Sequence, residues 1–164
     1  MSKFTDLCKS WTELRRSELG HQENCLQIAV TVIRGLTKSF EMDREYLKFL
    51  GATGPGADQP TDFVAGAMYQ DEENDWCFNL QLTLFEAPNQ SPKMPIRLPF
   101  RIVKPSPTST DFTVHCGASV SCTVSRIDDA AFQSFFDDLY DDLKVFLAKP
   151  GEIVRTGSAS TVYN

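Results

Sequence analysis

The stretch DFTVHCGASVSCTV, residues 111–124, decides the fold. Phe112, Val114, Cys116, Ala118, Val120, Cys122 and Val124 share one parity, and Asp111, Thr113, His115, Gly117, Ser119, Ser121 and Thr123 share the other. Alternation with period two, sustained over the whole segment, predicts one long strand with a buried face and a wet face. On such a strand Cys116 and Cys122 point the same way with Cα atoms about 20 Å apart, too far to bridge.

Two segments upstream repeat the pattern. Trp76, Phe78, Leu80, Leu82 and Leu84 alternate with Cys77, Asn79, Gln81 and Thr83, and Met94, Ile96, Leu98, Phe100 and Ile102 alternate with Pro95, Arg97, Pro99 and Arg101. Pro95 and Pro99 have one parity, so both missing N–H groups face one side of the strand. That side is poorly equipped for a ladder, which argues for an edge strand, as in the order 3-2-1-4, or for locally frayed pairing. Residues 63–70 form a further, mildly apolar strand candidate, and DEEND at 71–75 reads as a polar turn. GATGPGADQPT, 51–61, reads as a loop and hinge. It lacks the Lys-Ser/Thr pair of a phosphate-binding loop.

Helical spacing appears at both ends. Phe4, Leu7, Cys8, Trp11, Leu14 and Leu19 form one apolar stripe, with Gly20 and His21 breaking the helix. A second helix follows from Leu26 through Ala29, Val30, Ile33 and Leu36 to Phe40. Residues 44–50 fit a last helical turn or a short strand. After the sheet, Ser125-Arg126-Ile127-Asp128 is a capping-box variant opening a helix that runs to about Lys149. Its apolar face is wide: Ala131, Phe132, Phe135, Phe136, Leu139, Tyr140, Leu143, Phe146 and Leu147. Residues 151–164 read as a polar, disordered tail.

The expected fold is therefore α+β: an antiparallel sheet of four to five strands, with N-terminal helices and one long C-terminal helix packed on one face. Residues 1–150 form a single domain, natural for a chain of 164 residues. The net charge of −6 argues against a nucleic-acid footprint. No apolar run reaches the roughly 20 residues of a membrane span. Five cysteines without a CxxC pair suggest reduced thiols in a cytoplasm.

Candidate chemistry is sparse. DDLYDD, 137–142, contains DDxxD, and its carboxylates at i and i+4 share a helix face that could hold a divalent cation. The short, strand-rich surroundings favour a solvated acidic face instead. His115 lies on the wet face of its strand, and Cys116 points away from it, so no Cys–His dyad forms. Arg97 and Arg101, with Lys93 and Lys104, make a basic stripe suited to an anion or an acidic protein. No cofactor and no metal site is expected, nor an enzyme. The reading is a small, acidic, cytoplasmic protein-binding domain of the adaptor, chaperone or inhibitor kind, with a second copy of itself among the candidate partners. The alternative is a carrier holding an apolar small molecule between the sheet and the C-terminal helix, lined by Phe132, Phe136, Tyr140 and Phe112. Arg97, Arg101, His115, Phe132, Phe136 and Tyr140 are the candidate surface or ligand residues.

Overall fold

The computed structural model describes residues 2–87, 93–149 and 161–163. It is α+β, as the alternation and helical spacing require: an N-terminal helix, an antiparallel sheet and a C-terminal helix. The N-terminal region is one helix, α1 (Lys3–Ser39), and not two. Gly20 costs about 1 kcal/mol in a helix relative to alanine, but without a proline it does not end one. Good helix formers flank it, Arg15, Arg16, Glu18 and Leu19 before and Gln22 and Glu23 after, so the hydrogen-bond ladder runs through. The Ser2 hydroxyl caps the start by accepting from the Thr5 N–H at 3.2 Å.

The two halves of α1 have different fates. Cys25, Ile28, Ala29, Val32, Ile33 and Leu36 are buried against the sheet. Packing thereby overrides the strand preference of the β-branched residues there. Every residue from Ser2 to Gly20 is exposed. At 1.5 Å per residue the helix is about 55 Å long, so roughly half of it stands clear of the core.

The sheet follows β1 (Leu47–Leu50), β2 (Pro60–Thr61), β3 (Tyr69–Gln70), β4 (Trp76–Phe85), β5 (Lys93–Val103), β6 (Phe112–Cys116), β7 (Val120–Val124) and β8 (Thr161–Val162). Its main path is β2-β1-β4-β5-β6-β7, with β3 on β4 and β8 on β5. The strand count exceeds the four or five expected because the short pieces carry no alternation to read and because residues 111–124 hold two strands. Residues 44–50 resolve into a turn of 3-10 helix and β1. The stretch 63–70 is a single helical turn, α2 (Val64–Ala67), plus β3. The glycine-rich loop is knitted to β1: Gly51 N–H donates to Gln59 O at 3.0 Å and Asp58 N–H to Gly51 O at 2.8 Å. A side chain at Gly51 would meet the Gly56 carbonyl at 2.1 Å, so only glycine fits there.

Residues 111–124 are a hairpin, not one strand. β6 and β7 pair with Cys116 opposite Val120 and Phe112 opposite Val124. Three residues separate the paired ends, so the parity of the buried set passes unchanged through the turn. Gly117 takes a φ of +61°, the left-handed region that glycine enters freely. Cys116 and Cys122 consequently lie on neighbouring strands as diagonal neighbours, and both are free thiols.

β5 is interior, with β4 paired along it from Lys93 to Ile102. The prolines act by fraying. β6 pairs only with Phe100–Val103, and the stretch between Pro95 and Pro99 instead takes β8 in parallel. The anchor is Tyr163, whose N–H donates to the Arg97 carbonyl at 3.0 Å and whose ring is buried. The expected disordered tail thus returns to the sheet at 161–163; 151–160 and 164 lie outside the described residues.

α3 (Gln133–Leu147) follows a 3-10 turn (Ala130–Phe132), in which the Ala131 N–H donates to the Asp128 carboxylate at 2.9 Å; α3 itself begins after Phe132 without a side-chain cap. It packs beside the core half of α1 on one face of the sheet. The two helices meet where Gly35 lets the Phe136 ring approach: a Cβ there would stand 2.3 Å from it. Phe78 and Phe100 stack at 4.8 Å beneath, and Phe135 leans on Phe100 at 6.3 Å. Each such buried ring contributes about 1.5–3 kcal/mol.

Candidate functional site

The projecting half of α1 presents Phe4, Leu7, Trp11, Leu14 and Leu19, exposed to 74%, 68%, 61%, 53% and 56%. The first four stand at steps of three and four residues, hence on one side of the helix. Seven-residue steps from Phe4 lead to Trp11, Glu18, Cys25 and Val32, and from Leu7 to Leu14, His21, Ile28 and Gly35. The exposed stripe is therefore the same helix face that builds the core farther along, continued past the end of the sheet. Glu18 and His21 interrupt it at the exit point. The spacing of this stripe is legible in the sequence. Its exposure is not, because the apolar face of the sheet is already covered by residues 25–36 and α3.

His21 marks the exit. Its ring stacks on Phe112 at 5.8 Å and 5°. Its ring nitrogens lie 3.9 Å from Cys25 Sγ. Burial, then Lys104, holds the imidazole below its ordinary range, with Asp75 opposing. Burial pushes the Cys25 thiol up to about 12. Along the projecting half Lys3, Lys9, Arg15 and Arg16 stand against Asp6, Glu13 and Glu18, four cations to three carboxylates. This segment is near neutral on a chain of −6.

The six residues singled out in sequence scatter. Phe132 and Phe136 are core residues with no exposure worth the name, at 0% and 1%. Tyr140 is half exposed, at the edge of α3 and against Phe40. Arg101 and His115 are cross-strand partners on the outer face, with Ser121 beyond. The Thr113 and Thr123 hydroxyls join at 3.0 Å beside them. The two arginines of the basic stripe are compensated: Arg97 pairs with Asp58, and Arg101 with Asp71, Glu73 and Asp75. Burial raises the Asp71 carboxyl, but the Asp75 and Glu73 N–H groups and Arg101 outweigh it, leaving it below its usual range. DEEND, which reads in sequence only as a polar turn, gathers the Asp71, Glu73 and Asp75 carboxylates around Arg101.

In DDLYDD, Asp142 accepts from the Tyr163 hydroxyl and Asp137 from Gln133 Nε2 at 3.2 Å. Among the described residues no group of three or more His, Cys, Asp or Glu side chains is placed to hold a metal ion. One apolar groove of about 370 Å3 opens where α1 ends, lined by Phe40, Met42, Tyr46, Leu84, Tyr140 and Leu147 among others. No helix among the described residues is long and apolar enough to cross a membrane. Comparison with known proteins returns no match to a family model, a curated protein or a solved structure.

Proposed function

We propose that this chain is a non-catalytic protein-binding domain that captures a helix along the projecting half of α1. The observation that carries the reading is the stripe Phe4, Leu7, Trp11, Leu14, with every side chain more than half exposed. Exposed apolar patches of more than a few hundred Å2 mark interaction sites. Trp, in particular, concentrates at binding hot spots. An isolated helical segment of this length is also marginal in water, so a partner that covers the stripe stabilises the helix as well. The adaptor, chaperone and inhibitor kinds all fit. Five free thiols favour a reducing compartment such as the cytoplasm.

The test is a photoreactive phenylalanine analogue at position 11, in the chain expressed in the cells that make it. Covalent adducts mapping to apolar positions of a helix are expected, and the same analogue at the exposed Phe63 yields none. Irradiation that leaves position 11 unattached overturns the reading.

The groove at the other end of α1 favours a second reading, the carrier of an apolar small molecule. Its position corrects the lining expected from sequence: Tyr140 reaches it, whereas Phe132, Phe136 and Phe112 do not. An environment-sensitive apolar dye titrated into the chain should bind there and be displaced by Met42→Glu. Dye binding indifferent to that substitution ends the carrier reading.

A further inference from the structure

We infer that the projecting half of α1 is covered by the same segment of a second copy of this chain, the two helices running antiparallel. The inference rests on the helix-capture reading above and names the partner. Phe4, Leu7, Trp11 and Leu14 occupy the a and d positions of a seven-residue repeat. The core half of α1 is broader, burying adjacent positions at Ile28 and Ala29 and at Val32 and Ile33. A broad face suits a sheet, and a narrow a/d seam suits another helix.

The seam matches itself when inverted. With the helices crossing opposite residue 9, Phe4 of one copy faces Leu14 of the other, and Leu7 faces Trp11. Each layer joins one aromatic ring to one leucine. The flanking positions are Lys3, Cys8, Ser10, Arg15 and Ser17. Inversion sets Lys3 beside Ser17, Ser10 beside Ser10 and Cys8 beside Cys8, with Arg15 toward the Ser2 cap, so no two side chains of like charge meet across the seam. A parallel pair instead sets Trp11 on Trp11 and carries the repeat into Glu18 against Glu18, two carboxylates in one apolar layer. It also brings both sheets to the same place, because from Cys25 onward the seam face is filled by the chain's own core. The antiparallel pair holds the two sheets at opposite ends.

Two aromatic rings and two leucines per copy bury on the order of 500 Å2, taking 150–250 Å2 for an aromatic side chain. The total of about 1,000 Å2 is the lower limit for a specific interface, so the dimer is reversible. Sedimentation equilibrium of the full chain over micromolar to millimolar concentration reads it. A monomer–dimer equilibrium is expected. Leu7→Glu with Leu14→Glu should weaken it at least about thirtyfold, because every layer of the seam then holds an unpaired carboxylate. Phe63→Glu, on an equally exposed ring off the seam, should leave it unchanged. A short bismaleimide should join Cys8 to Cys8, the exposed thiol, while Cys25, Cys77 and Cys116 are buried. A monomer at every concentration overturns the inference, as does a dimer that resists Cys8 crosslinking or survives the double substitution. If such a monomer still crosslinks from position 11 to another protein, self-pairing fails and helix capture stands.

Discussion

His21 is where one helix changes role. N-terminal to it α1 is wet on all sides, and C-terminal to it the same face is core. Its ring fills the step by stacking on Phe112, and the surroundings prefer it neutral. The sign of the pH effect follows from that preference. The unfolded chain binds a proton near the ordinary histidine value of about 6.5, and the folded chain binds it only at lower pH. The contribution of His21 to stability is therefore intact above about pH 6.5 and declines as the pH falls below it. Melting temperatures recorded across that window should drop in the native chain and drop less in His21→Asn. Parallel curves for the two would show that the ring does not report on the exit. From sequence, His21 with Gly20 reads as a helix break. What makes it a junction is Phe112, a residue 91 positions away whose approach no local pattern announces.

At the scale of elements, period and parity are legible, whereas connection is not. The alternation at 111–124 and 76–84 identifies most of the buried residues: Phe112, Val114, Cys116, Val120, Val124, Phe78, Leu80 and Leu82 are buried, whereas Trp76, Leu84 and Cys122 are half-buried, Ala118 is exposed in the turn, and Cys77, of the opposite parity, is buried. It misses the turn between Cys116 and Val120, because an odd-numbered loop leaves the alternation intact. Pro95 and Pro99 do mark the weak side of β5, yet β8 fills the frayed stretch, so β5 is interior and not an edge. For α1, spacing predicts two apolar stripes but cannot say that one lacks a sheet to cover it. The two halves should accordingly differ under substitution. Ile28→Ala in the core half should cost about 2–5 kcal/mol in chemical denaturation. Leu7→Glu with Leu14→Glu, read in dilute solution, should change stability by less than about 0.5 kcal/mol. A comparable cost for both would mean that the first half of α1 packs on its own sheet.

The whole molecule is closed by its last described residues. Tyr163 sets its ring edge against Phe146 at 5.5 Å, donates its hydroxyl to Asp142 and its N–H to Arg97 O. Burial, reinforced by Asp142, raises the phenol's pKa, so it remains a donor. Tyr163→Phe should cost about 1 kcal/mol, the net worth of one hydrogen bond. Tyr163→Ala should cost about 3 kcal/mol or more, since it also empties a core position. Equal, negligible costs in urea titration would place the closing strand outside the cooperative unit. This closure was not legible because a short polar tail gives no periodicity, and the single aromatic ring near its end is too weak a signal. The candidate site was half legible: its residues and spacing stand in the sequence, but its exposure depends on how the core is apportioned among α1, α3 and the sheet.

Hydrogen exchange along α1 tests the division of that helix most directly. In dilute solution the amides of residues 5–19 should exchange close to the unprotected rate, and those of residues 25–36 should be strongly protected, with the change at His21. Protection should spread toward residue 5 as the chain is concentrated, and Leu7→Glu with Leu14→Glu should abolish the spread. Uniform protection of the whole helix in the dilute chain would contradict the account, because the stripe would then already be covered by the chain's own fold.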